Sequence, residues 1–169
     1  MRKILIPLAL AVASTFVLSA CDKAAETSAQ QAAPTVETVP LPTDPADTAA
    51  WKKYLANVVT NNMQGVTTTR PYMYYIPGGE DEKALDDRSN QLENVRGVVG
   101  RGVLPGNMMA FGGPDSKITA DFVIEAFGGA QSGSFKDVVV LVVGTPDDTT
   151  RVKEALAPSG ANVRAAELK

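Results

Sequence analysis

Asp115, Asp147 and Asp148 are the side chains whose type could carry chemistry, as carboxylates sharing acid and base work in a small hydrolase or transferase. The chain has no histidine and one cysteine, Cys21. That rules out a Ser-His-Asp triad, a Cys-His pair, His-ligated haem, a His or Cys zinc site and a paired-thiol redox centre. No cofactor is expected. Glu80, Asp81, Glu82, Asp86 and Asp87 are oxygen donors of the kind a hard cation needs, but Lys83 and Arg88 are interleaved and the spacing is not that of an EF-hand. Acids in the first turn of a helix are favoured by its dipole, so a solvated helix start is expected there. Met63, Met73, Met108 and Met109 are thioethers that could bind copper, yet they are scattered and are expected to fill core gaps.

Two further segments are candidates for binding. Gly144-Thr145-Pro146-Asp147-Asp148 reads as a strand-to-helix turn, the place where an α/β fold puts a ligand. Thr145, Asp147 and Asp148 are its candidate ligand residues, although the two aspartates would repel phosphate and helix capping also accounts for them. Tyr72, Tyr74 and Tyr75 surround Met73 in a short strand. Alternation sends Tyr72 and Tyr74 to one face, and Met73 and Tyr75 to the other. Tyr72 and Tyr74 form the candidate contact surface, suited to a protein or glycan partner unless helices cover both faces. Gly97, Gly100, Gly102 and Gly106 resemble a phosphate loop only in glycine content, because they precede a strand instead of linking strand to helix. A flexible connection from Gly97 to Gly106 is expected, within which Arg101 could meet an anion.

The elements that must position these residues follow from periodicity. Trp51, Tyr54, Leu55, Val58 and Val59 form a helical stripe capped by Asp47 and ending near Gly65. Tyr72 to Ile76 reads as a strand between Pro71 and Pro77. Glu80 to Arg96 reads as a charged helix, and Asn107 to Phe111 as a strand. Ser116 is the expected cap of a helix carrying Ile118, Phe122, Val123, Ala126 and Phe127. Val138 to Val143 is an unbroken apolar run, rich in valine, of the kind buried at a sheet centre. Asp147 or Thr145 caps the next helix, and Val163 to Leu168 is the last strand. After the first helix the order is β-α-β-α-β-α-β. It predicts an α/β domain with a mainly parallel sheet, with a two-layer α+β arrangement as the alternative.

The beginning of the chain is of another kind. Arg2 and Lys3 precede an apolar run from Ile4 to Val17, followed by Leu18-Ser19-Ala20-Cys21. The run has the length of a secretory signal and is too short for a stable bilayer span. With its small residues before the cysteine, it resembles the signal and lipobox of bacterial lipoproteins. The resemblance covers 21 residues. It implies cleavage ahead of Cys21, acylation of that cysteine, and attachment to the cell-envelope membrane with the rest in the periplasm. One acyl chain binds a membrane marginally, whereas two or more hold it. Asp22 resembles an inner-membrane retention signal in enterobacteria but lacks its usual companions, so the choice of membrane stays open.

Residues 22–49 are rich in Ala, Thr, Pro and Gln, and are expected to be a disordered tether reaching on the order of 30 Å. The expected organisation is a signal at 1–20, a lipidated cysteine and tether at 21–49, and one domain at 50–169. That domain carries thirteen basic and fourteen acidic residues. Near-neutrality without a basic block argues against nucleic acid as a partner. The expected role is a non-catalytic binding or accessory subunit of an envelope complex, with the carboxylate enzyme as the alternative.

Overall fold

The computed structural model describes residues 38–168. The signal, Cys21 and the greater part of the expected tether lie outside them. The carboxylate of Asp47 accepts from the Ala50 N–H at 2.9 Å and opens helix α1, Thr48–Asn61. Trp51, Tyr54, Leu55 and Val59 bury one stripe of this helix. Packed structure starts ahead of residue 50. Val39 and Leu41 pack into the same cluster as α1. The Val39 N–H donates to Asn57 Oδ1 at 3.3 Å, and the Trp51 indole donates to the Asp44 carbonyl at 3.0 Å.

Strand β1 is Tyr72–Tyr75, and helix α2, capped by Asp81, is Glu82–Arg101. Gly97 and Gly100 therefore lie inside a helix, which corrects the expected glycine-rich connection. A glycine costs a helix interior about 1 kcal/mol against alanine. Burial of Val95 and Val99, with Val98 packed beside them, offsets that cost and carries α2 through to Arg101. Strand β2 is Met108–Gly112, buried throughout. Helix α3 is Ser116–Phe127, and its cap is Asp115 in place of the expected Ser116, with Asp115 Oδ1 accepting from the Ile118 N–H at 2.8 Å.

Strand β3, Val139–Gly144, has every residue buried. Helix α4, Pro146–Leu156, is capped by Thr145, with Asp147 in its first turn. A single 3-10 turn, Ala157–Ser159, leads into strand β4, Asn162–Glu167.

The four strands of the described residues are all parallel, in the order β1-β2-β3-β4, so these residues form a small α/β domain. Each strand sits beside its neighbour in the chain, and α2, α3 and α4 make the three crossovers. Alternation along the strands divides the interior in two. Met109, Phe111, Val140 and Val142 face the crossover helices, packing with Val95, Phe122, Val123, Phe127 and Val152. Met108, Ala110, Val139, Leu141 and Val143 face α1. This accounts for the unbroken apolar runs, because a strand covered on both sides has no face for water. The exits of β1 and β2 lie almost in contact: a Cβ on Gly113 would sit 2.0 Å from the Ile76 carbonyl oxygen, so only glycine fits there.

Candidate functional site

Two regions hold the residues singled out from the sequence, and they differ in kind. The first is the turn after β3, at the C-terminal ends of the strands. The Ser116 hydroxyl accepts from the Thr145 N–H at 2.8 Å and donates to Asp148 Oδ2 at 2.6 Å. The Thr145 hydroxyl donates to the same oxygen at 2.8 Å. Arg151 donates to Asp148 Oδ1 at 3.0 Å and to Asp121, which also pairs with Lys117.

The Ser116 hydroxyl, with Thr145 and Arg151 behind it, holds the Asp148 carboxyl below the usual carboxylate range against the opposing effect of burial. Lys117 and Arg151 lower Asp121 in the same way. A general acid needs the opposite shift. Asp115 is occupied as the α3 cap, and Asp147 is exposed in the first turn of α4. The candidate carboxylates are thus near one another, but Asp148, Asp121, Lys117 and Arg151 satisfy one another and tie α3 to α4. Among the described residues no group of three acids converges as a metal site would require.

The second region is β1, which among the described residues is an edge strand hydrogen-bonded to β2 alone. The two tyrosines of the candidate surface have different surroundings. Tyr72 is 43 % exposed. Tyr74 is half-buried against the core, its ring stacked on Phe111 with centroids 5.0 Å apart and planes at 16°. Burial, with the neighbouring Tyr72 adding to it, pushes the Tyr74 phenol above its ordinary value. Met73 is 48 % exposed, a correction to the expectation that the methionines fill the core; Met108 and Met109 do so, on opposite sheet faces. Tyr75 packs against the α1-side cluster, with the Lys52 ammonium 6.0 Å from its ring centroid.

Beside this edge runs an open groove of about 690 Å³, floored by Met73 and Tyr75. Thr48 and Lys52 of α1 line one wall, and Ala84 and Gln91 of α2 line the other. Sequence reasoning missed the groove and the prominence of Met73, because both depend on β1 being the outermost strand, which strand patterning does not reveal. A smaller hollow between α2 and α3, lined by Leu85, Leu92, Ile118 and Phe122, has Asp121 and Glu125 at its rim. No helix of the described residues is long and apolar enough to cross a membrane. No family model, curated protein or solved structure matches the chain.

Proposed function

We propose that this chain is a lipid-anchored protein of the bacterial envelope whose domain acts by binding another envelope protein through the β1 side. The observation that carries the reading is that Tyr72 and Met73, adjacent on an edge strand, both leave large apolar side chains in solvent. The other large exposed apolar side chains of the described residues, Leu85 and Leu104, lie on α2 and in the loop after it. An exposed aromatic beside an unpaired strand edge is a feature of recognition surfaces. The resemblance of the first 21 residues to lipoprotein signals supports the anchor through Cys21. The carboxylate enzyme has less support, since Asp148 is lowered and engaged by its neighbours.

The test uses the full chain, tagged at its C-terminus and recovered from the native envelope. Tyr72→Ala combined with Met73→Ala should reduce co-purification of the main partner about tenfold or more, as loss of an interface anchor does. Its thermal midpoint should stay within about 2 °C of the wild type. Tyr74 is left intact because its ring stacks in the core. Undiminished recovery by a stable double variant would place the contact elsewhere. Acyl-label incorporation that persists in Cys21→Ala would overturn the anchor.

A further inference from the structure

The backbone of β1 has a direction that its side chains do not reveal. The Ile76 N–H donates to the Gly112 carbonyl at 2.9 Å, toward β2. N–H and C=O groups alternate from one side of a strand to the other, so those of Tyr72 and Tyr74 also point toward β2. Met73 and Tyr75 consequently turn their N–H and C=O groups to the open edge, and these two residues floor the groove between α1 and α2.

We propose that β1 is a strand acceptor: an extended segment of the partner protein adds to its free edge as a fifth strand and sets an acidic side chain against Lys52. The proposal rests on the binding role inferred above and specifies its mode. Three observations fix the occupant. The first is the row of main-chain donors and acceptors at Met73 and Tyr75, unpaired among the described residues, which an extended backbone satisfies best.

The second is shape. Helices α1 and α2 stand on either side of the edge and share one groove with it. A single extended chain enters such a slot. In a second copy of this protein the same edge lies between the same two helices, so pairing edge to edge would drive four helix flanks together. Pro71 and Pro77 bracket β1 and set the added strand at about four or five residues, roughly 13–17 Å long.

The third is charge. On the α2 wall Lys83 is paired with Asp87, and Asp81 is committed to the Ala84 N–H. On the α1 wall Lys52 has no carboxylate within ion-pair distance among the described residues. An Asp or Glu on the α1-facing side of the incoming strand would supply its partner.

The opposite edge of the sheet sharpens the contrast. β4 carries Arg164 on its α1-facing side, with the guanidinium donating to the Asn62 carbonyl at 2.9 Å, and it includes Asn162 and Glu167. Inward-pointing and edge charges of this kind discourage pairing with another strand. β1, with Tyr-Met-Tyr-Tyr, has no charge, proline or glycine within it.

The experiment pans a random heptapeptide library displayed on phage against the full-length chain in detergent. Enriched sequences should alternate apolar residues and contain Asp or Glu. The best synthetic heptapeptide is then methylated at each backbone nitrogen in turn. Loss of about tenfold in affinity at every second position, with little effect between, is the signature of strand addition. Met73→Pro removes one outward N–H and leaves the bonds to β2, so it should cost about tenfold, whereas Met73→Ala should cost far less. Lys52→Glu should weaken the acidic peptide about fivefold or more and be partly restored by its Lys analogue.

No enrichment, no period of two in the methylation scan, or full affinity in a folded Met73→Pro variant would each overturn strand addition. Should Met73→Pro fail to fold, the methylation scan decides, because it leaves the protein unaltered. The two proposals fail separately. A native partner lost with Tyr72→Ala but kept by Met73→Pro leaves the binding surface standing and removes the added strand.

Discussion

The Ser116 hydroxyl donates to Asp148 Oδ2 at 2.6 Å across 32 residues of chain, while accepting from the Thr145 N–H at 2.8 Å. One side chain thus joins the start of α3 to the start of α4 and to the exit of β3. The α3 cap is supplied one residue earlier, by Asp115, which leaves the Ser116 hydroxyl to this junction.

Acid should loosen this junction. The Ser116 hydroxyl is the main cause holding Asp148 below its ordinary value of 3.8. The folded state therefore binds that proton more weakly than the unfolded chain does. The resulting stability is complete above the ordinary value and is lost as pH falls through the folded one. Ser116→Ala should cost about 1–2 kcal/mol at pH 7 by urea denaturation, and the difference from wild type should shrink below about pH 4. A difference that stays constant with pH would assign Ser116 a packing role only.

Two glycines should respond in opposite directions. Gly100 lies in α2 with open space where a Cβ would go, so Gly100→Ala should raise stability by about 0.5–1 kcal/mol. Gly106 has φ +80°, and its Cβ would stand 2.2 Å from Thr67 Oγ1. Gly106→Ala should lower stability by about 1–3 kcal/mol. Thermal midpoints of the two variants, measured side by side, check both signs.

The segment before α1 should contribute to stability. Val39 and Leu41 are half-buried against the α1-side cluster. Val39→Ser with Leu41→Ser should cost about 1–2 kcal/mol in chemical denaturation. An unchanged midpoint would mean that the segment rests on the domain without supporting it.

Much of the architecture is legible because burial leaves a strong periodic record. Val138 to Val143 marks the sheet centre, and the stripe from Trp51 to Val59 marks α1. The extent of α2 is not legible, since Gly97 and Gly100 are tolerated only because Val95 and Val99 are buried on partners distant in sequence. Asp115 and Ser116 are both good cap residues one position apart, and local spacing does not choose between them. The sequence places Tyr72 and Tyr74 on one face, and they are on one face. How deep the Tyr74 ring lies depends on Phe111, the β2 residue opposite it in the register. The groove depends on strand order, which a single sequence does not record.

Trp51 is the chain's single tryptophan, is 5 % exposed, and bonds through its indole to Asp44 on the α1 side of the sheet. The protein therefore carries an optical reporter for one of its two cores. Indole emission follows the seating of α1 and is blind to the cluster beneath α2, α3 and α4. A tryptophan placed at Phe127 would supply the missing channel, and any interval between the two signals during unfolding would time the release of one face before the other.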